Sequence, residues 1–344
     1  MNSIDENISI GNRYCIYHAD ADGILSAVLI NQVLPRVLGG FSKDYYIPAQ
    51  YDRSEHYDTL ISNVEEGDTV YVVDFSLEEE QYIKLAELGV VVVTIDHHKH
   101  KIEKLRELEC LKVKSSNQDQ PKHHKFILDE TLSGCELVRK HKETLGGELP
   151  QGGIVLDAET DKFIDVIGGR DRGMQWDNKT PPWLRDTMIR INNWFYSLAD
   201  VSELCKLDGK IRRSSDLERF YRKFLAPLGA FEKALGIGEA LGQRNLVSME
   251  FLTSTAIEKD SIVYINNPIK DLTSDLGNNV SATRNKPVVC WYVNERMEVL
   301  CSVRSFGDVK PTALSIAKKY GGGGHERAAG FRVPLEQLVE MINE

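Results

Sequence analysis

The stretch Val90-Val91-Val92-Val93-Thr94-Ile95-Asp96-His97-His98-Lys99 decides the reading of this chain. Five apolar residues and one Thr, bounded by Gly89 and a charged cluster, read as a buried parallel strand. The carboxyl end of such a strand is where an open α/β sheet places its ligand-binding groups. Asp96, His97 and His98 stand there, and carboxylate oxygen and imidazole nitrogen are both good ligands for divalent ions. Two surface histidines after a strand would look the same in isolation. The weight therefore falls on whether other strands end in the same way.

They do. Thr69 to Val73 is a second apolar strand; it ends in Asp74-Phe75-Ser76 and is followed by helical spacing from Leu77 to Leu88. Tyr14 to Tyr17 is a third, ending in His18-Ala19-Asp20-Ala21-Asp22-Gly23 ahead of the helical pattern Ile24, Leu25, Val28, Leu29. Alternation puts His18, Asp20 and Asp22 on one side of an extended turn, with Gly23 permitting tight entry into the helix. A helix N-cap needs one Asp, not two and a His, and carboxylates this close repel unless a cation neutralises them. Downstream, Phe126 to Leu128 reads as a strand and Thr131 to His141 as a helix. Ile154 to Ile167 reads as a helix running into a glycine-rich loop, Gly168 to Gly173. Asp171 lies there between Arg170 and Arg172, as a local ion pair or as one more ligand flanked by phosphate-binding cations. The polar, basic residues 99–125 read as a solvated helix and loop. Strands alternating with helices predict an α/β fold with a doubly wound, mostly parallel sheet.

The bulk numbers exclude several classes. A chain of 344 residues is long enough for two cores, and 42% hydrophobic with 27% charged residues is ordinary globular composition. The net charge of 42 − 52 = −10 excludes a global polycation, so an anionic partner must be met by a local patch. Six scattered cysteines, with no Cys-x-x-Cys pair, argue against a structural zinc site or a disulfide framework and fit a reducing compartment. The polar N-terminus has no signal-peptide core, and no apolar run approaches the roughly 18 residues of a membrane span. The expectation is a cytoplasmic protein with no membrane partner.

In the middle of the chain, Trp176, Trp183, Trp194 and Phe195 read as packing residues, and Ile211 to Leu225 as a connecting helix. A second alternation then begins. Ile262 to Ile265 reads as a strand, Asp271 to Thr283 as a helix, Val288 to Val293 and Val299 to Val303 as a hairpin, Ala313 to Tyr320 as a helix and Ala329 to Val333 as a strand. Between the last two lies Gly321-Gly322-Gly323-Gly324-His325, whose exposed backbone N–H groups would let a phosphate or base approach closely. From Arg304 to Arg332 six basic residues face two acids, a local +4 of the right sign for an anion. The implied division is 1–195, a helical linker over 196–255, and a smaller α/β domain over 256–344.

Taken together, His-x-Asp-x-Asp-Gly, a strand-end Asp, Asp-His-His and a later Asp resemble the DHH phosphoesterase superfamily. The pair Arg304-Ser305, the run Gly321 to His325 and Ala328-Ala329-Gly330 resemble the DHH-associated substrate-binding domain. The resemblance spans residues 14–334. It implies two divalent metal ions: one held by His18, Asp20 and Asp74, the other by Asp22, Asp74, His97 and Asp171, with Asp74 bridging. Asp165 is the alternative to Asp171. His98 would act on the scissile phosphate as donor or general acid, and Asp96 would orient a ligand. Many members place the first His four residues before the first Asp; the two-residue spacing of His18 and Asp20 resembles the RecJ-like and archaeal members. Oxygen-rich coordination with some nitrogen favours Mn²⁺, with Mg²⁺ the alternative.

The C-terminal domain would hold substrate with Arg304, Ser305, Gly322, Gly323, Gly324 and His325. The implied activity is two-metal phosphodiester hydrolysis of short single-stranded oligonucleotides or dinucleotides to mononucleotides. RecJ-like exonuclease action on longer DNA, or hydrolysis of cyclic dinucleotides or bisphosphorylated nucleotides, are alternatives. A nucleotide-binding sensor is the competing non-enzymatic reading, and it would be marked by missing ligands. Homodimerisation is left open.

Overall fold

The structure is a computed structural model that describes residues 11–34, 43–51, 53–114, 122–146, 156–177, 179–269, 272–294 and 296–343. It comprises two compact units, Met1–Glu239 and Ala240–Glu344.

In the first unit β1 (Arg13–His18), α1 (Ala21–Val33), β2 (Asp44–Ala49), α2 (Glu55–Ile61), β3 (Thr69–Val73), α3 (Glu79–Glu87) and β4 (Val91–Asp96) alternate. There follow α4 (Lys99–Glu107), the two-residue strands β5 (Lys112–Val113) and β6 (Lys122–His123), and β7 (Lys125–Leu128). The rest is mainly helical: α5 (Gly134–Lys140), α6 (Lys142–Gly146), α7 (Ala158–Asp171), α8 (Pro182–Tyr196), α9 (Ala199–Leu204), a short β8 (Arg212–Arg213), α10 (Ser214–Phe220) and the start of α11 (Ala230–Ser254).

The sheet runs β7-β4-β3-β1-β2-β8, parallel throughout except for β8 at the edge. The chain leaves β1 for β2 on one side and then returns to lay β3 on the other, so the strand order reverses between β1 and β3. That is the switch point at which an open α/β sheet leaves a crevice. Register brings the strand ends level, because Tyr17 pairs with Val73 and Val73 with Ile95. His18, Asp74 and Asp96 therefore emerge along one edge.

Period-two alternation explains the two cores. Cys15, Tyr17, Val73 and Ile95 face one way and pack with α1, α5, α7 and α8. Tyr14, Ile16, Val70, Val72 and Val92 face the other way, under α2, α3 and α4. Each fully buried Ile or Leu contributes roughly 1.5–3 kcal/mol, so both faces pin the strand ends. Helix α1 is apolar on every side, with Ile24, Leu25, Val28, Leu29 and Ile30 all buried, as befits a helix in the interior.

Some expectations change. β2 and α2 were not read from the sequence. Asp44-Tyr45-Tyr46-Ile47-Pro48-Ala49 carries a proline that argues against an interior strand. β8 reaches only Tyr45 and Tyr46, so at Pro48 the strand is an edge, where a missing N–H is tolerated. α1 starts at Ala21, which places Asp22 and Gly23 in its first turn and not in an extended turn. A Cβ on Gly23 would lie 2.1 Å from the His18 carbonyl oxygen, so the glycine permits a close approach of backbones. α7 continues to Asp171, so Gly168 to Asp171 is helix and not loop. Residues 154–155 of the expected helix lie outside the described residues. The expected connecting helix over 211–225 is broken: Arg212–Arg213 pair with β2, and Leu217, Phe220 and Leu225 join the core of the first unit.

The second unit contains β9 (Ile257–Lys259), β10 (Ile262–Asn266), α12 (Thr273–Arg284), β11 (Val288–Val293), β12 (Glu298–Arg304), α13 (Ala313–Lys319), β13 (Gly323–Gly324), β14 (Ala328–Pro334) and α14 (Leu335–Asn343). Its sheet, β13-β14-β12-β11-β10-β9, is antiparallel except between β10 and β11. Leu272, Leu276 and Val280 cover one face and Ala313, Ile316 and Ala317 the other. Asp271, the expected start of α12, lies outside the described residues. Among the described residues no helix is long and apolar enough to cross a membrane.

Candidate metal centre

His18 is the last residue of β1, and its Nδ1 lies 2.8 Å from Asp20 Oδ2 and 3.7 Å from Asp74 Oδ2. Asp20 also caps α1, accepting a 2.9 Å hydrogen bond from the Gly23 N–H on its other oxygen. One carboxylate thus anchors the helix and faces His18 at once. Asp74 follows β3 in the left-handed region at φ 51°, a conformation that Asp tolerates better than most residues. Its N–H donates to the Ile95 carbonyl at 2.8 Å, which leaves the turn well fixed.

His97 Nε2 lies 3.0 Å from Asp74 Oδ1 and 3.2 Å from Asp171 Oδ2. Asp22 is 2% exposed and accepts from Ser133 Oγ at 3.0 Å, the Gly134 N–H at 2.6 Å and the Cys135 N–H at 3.0 Å. Asp165 turns away and pairs with Arg139 at 2.7 Å, so Asp171 is the acid that faces His97. Arg172 pairs with Glu136 at 2.9 Å, which is structural work and not a free phosphate clamp.

Among the described residues, donor atoms converge in three groups within 4.8 Å: His18, Asp20 and Asp74; Asp22, His97 and Asp171; and Asp74, Asp96, His97 and His98. Two donors carry the test of fit to a cation. His18 Nδ1 and Asp74 Oδ2 are buried, and neither makes an aligned hydrogen bond. A buried polar atom without a partner costs free energy, and a divalent ion would satisfy both. Protonation points the same way. Burial and the facing Asp74 push the Asp22 carboxyl up to about 7, against the hydrogen bonds it accepts. Burial opposes charge on His97, but the Asp74 and Asp171 carboxylates outweigh it and raise the ring to about 10. Without a cation, protons on the imidazoles balance the cluster. The donor set fits divalent ions held by oxygen and nitrogen.

His98 stands beside this group. Its Nδ1 lies 2.6 Å from Asp96 Oδ1. Asp96 is fully buried and also accepts from Ser76 Oγ and from the His97 and His98 N–H groups at 2.8 and 3.2 Å. These bonds outweigh burial and hold its carboxyl below the usual range. Asp96 therefore supports both histidines.

Sequence reading missed the supports. Ser76 sits in a quoted motif but gave no sign of reaching Asp96. Gln50 Oε1 lies 3.1 Å from His18 Nε2, and only its place after an unrecognised strand could have pointed to it. Tyr51 stacks on Phe75 at 4.4 Å and meets His98 edge-on at 5.5 Å.

In the second unit Arg304 donates to the Val303 carbonyl at 2.9 Å and to Ser274 Oγ at 3.0 Å, with its stem against Gly277. Ser305 is 1% exposed; its hydroxyl donates to the Glu326 carbonyl and accepts from the Ala313 N–H. Gly322 and Gly324 lie tight against β14, where a Cβ would meet the Gly330 oxygen at 2.1 Å and the Ala328 oxygen at 2.6 Å. Gly321 and Gly323 have open space. The glycine run is thus partly packed, in keeping with the shaped loop that His325 and Ala328-Ala329-Gly330 imply, while Gly321 and Gly323 stay open. His325 exchanges backbone hydrogen bonds with Ala328 in an exposed turn.

Residues 14–156 match the DHH family, N-terminal domain. Over those residues the first unit is similar to a DHH domain. The match closes before Asp171, so the fourth acid rests on geometry alone. No curated protein sequence matches this chain. Among solved structures, the DHH domain of a member of a ribosomal-protein family is similar over 96% of this chain and 85% of its own, at 13% identity and a TM-score of 0.54. RecJ from Thermus thermophilus in complex with Mn²⁺ is similar over 97% of this chain at 15% identity and a TM-score of 0.51; the chain covers 51% of that protein, about half its length. A pGpG-specific phosphodiesterase from Vibrio cholerae aligns over 96% of both chains at 12% identity and a TM-score of 0.44. For the first two, at these identities, the likeness is one of fold.

Proposed function

We propose that this protein is a divalent-metal-dependent phosphodiesterase that hydrolyses short single-stranded oligonucleotides or dinucleotides to mononucleotides. The observation that carries the reading is the convergence of His18, Asp20, Asp22, Asp74, His97 and Asp171, with two buried donor atoms that make no aligned hydrogen bond. His18, Asp20 and Asp74 would hold one ion, and Asp22, Asp74, His97 and Asp171 the other. Divalent ions held there would supply Lewis-acid chemistry, polarising a phosphoryl oxygen and lowering the pKa of a bound water. The protein's own part is orientation. Asp96 engages His98 Nδ1, so exchange with substrate runs through Nε2, which can donate to a phosphate or leaving oxygen. The imidazoles among the ligands favour Mn²⁺ over Mg²⁺.

Two outcomes follow. Asp96→Asn should lower kcat by roughly 10–100-fold while Mn²⁺ stoichiometry stays unchanged, as for loss of a support behind an active group. Arg304→Ala should raise KM roughly 10-fold or more, since a hydrogen bond to a charged group contributes about 1.5–3 kcal/mol. Metal binding should be untouched, and steady-state kinetics with a parallel Mn²⁺ titration separates the two effects.

The deciding experiment incubates the protein and Mn²⁺ with end-labelled oligomers of graded length, cyclic dinucleotides, bisphosphorylated adenosine and pyrophosphate. Fastest release of mononucleotides from the shortest linear chains supports the proposal. Preference for long DNA, or release of orthophosphate from pyrophosphate alone, replaces it with another activity.

A further inference from the structure

We infer, on the metal-centre reading above, that Gln50 selects the metal-binding tautomer of His18. Of the two ring nitrogens only Nδ1 faces the carboxylates, at 2.8 Å from Asp20 Oδ2 and 3.7 Å from Asp74 Oδ2. Nδ1 is buried and makes no aligned hydrogen bond. Nε2 points the other way, 3.1 Å from Gln50 Oε1. A neutral imidazole carries one proton, and a carbonyl oxygen can only accept. When a cation replaces the proton between Nδ1 and the carboxylates, the Gln50 amide would keep the remaining ring proton on Nε2 and leave the Nδ1 lone pair for the ion beside Asp20 and Asp74. With the proton on Nδ1, an N–H would point where the cation belongs, and the group would fall from three donors to two.

The backbone explains why Gln50 is in place. Ala49, the last residue of β2, is paired with His18, and the Ala19 N–H donates to the Ala49 carbonyl at 3.0 Å. Residues 49–50 are thereby tied to 18–19. The Arg53 N–H donates to the Gln50 carbonyl at 3.2 Å. Phe75 stacks beside the His18 ring, with centroids 6.2 Å apart, and limits its rotation. An oxygen acceptor behind a metal-bound histidine is a general device for fixing the tautomer. Here it comes from an amide and not from a carboxylate, which adds no charge to an already acidic cluster.

The test uses the full chain. Gln50→Leu removes the acceptor at similar size, and Gln50→Glu restores one. Mn²⁺ binding is followed by electron paramagnetic resonance of the free ion. The wild-type protein should bind two ions; Gln50→Leu should weaken one of them by roughly 10–100-fold and leave the other unchanged; Gln50→Glu should recover it. Long-range ¹H–¹⁵N spectra of the Cd²⁺-loaded wild-type protein should show the His18 proton on Nε2. Equal binding of both ions by Gln50→Leu, or a proton on Nδ1, overturns the inference and leaves the metal centre standing. Absence of any Mn²⁺ binding by the wild-type protein overturns both. If Gln50→Leu does not fold, the wild-type spectrum alone decides.

Discussion

Asp74→Asn is expected to abolish turnover, with a loss of roughly 10³-fold or more in kcat/KM. Asp74 contributes to two of the donor groups, and removing a single electrostatic contributor at an active site already costs about 10²–10³. Asn is the right replacement. It keeps the size of the side chain and tolerates the left-handed backbone at φ 51°, so the change isolates the charge. A second readout does not depend on activity. A ligand that binds only the folded chain, present at 100 times its Kd, stabilises it by about 2.7 kcal/mol. For a domain of this size that raises Tm by roughly 5–10 °C. The wild-type protein should show this rise with Mn²⁺ and lose it to a chelator, and Asp74→Asn should show little of either. Unchanged turnover in a folded Asp74→Asn protein would remove Asp74 from the site.

Gly134→Ala is expected to damage the same centre without touching a donor. A Cβ at Gly134 would lie 2.5 Å from Asp74 Cβ and 3.0 Å from both Asp22 Oδ2 and Ser26 Oγ. None of these can yield cheaply: Asp74 hangs from a fixed turn, and Asp22 is held by the α5 N–H groups themselves. Forcing a methyl into a packed interior costs about 1–3 kcal/mol. A displacement of ligands by even 1 Å can cost on the order of 10²-fold in rate. Thermal unfolding should therefore fall by several degrees, and kcat/KM by more than the stability loss would suggest. Full activity at unchanged Tm would mean that the helix shifts freely, and that the close approach is not needed.

The frame was legible because it is written in local patterns. Val90 to Ile95 is buried on both faces and so reads as an unbroken apolar run, and the acids and histidines directly follow such runs. The ends of β1, β3 and β4 could be placed from that alone. Helix limits were less legible. Asp22, Gly23 and Gly168 to Asp171 look like turn material, yet they are helical; Gly23 lies against the His18 backbone, and Gly168 and Gly169 against the side chains of Ser133, Glu136 and Met188. β2 was missed because Pro48 and a leading Asp hide its edge position, and Gln50 and Tyr51 were lost with it. The hydrogen bonds to Asp22 from Ser133, Gly134 and Cys135 join residues more than 110 positions apart, which no periodicity reveals. The second unit's elements were legible from β-branched runs and helical spacing. The inward turn of Ser305 was not, because it depends on a carbonyl at residue 326.

All six proposed ligands belong to Met1–Glu239, whereas the arginine and glycine loop proposed to grip substrate belong to Ala240–Glu344. On the proposed function, bond breaking would be written in the larger unit and target choice in the smaller one. If that reading holds, exchange of the smaller unit for another binding module would redirect the proposed chemistry without rebuilding the metal centre.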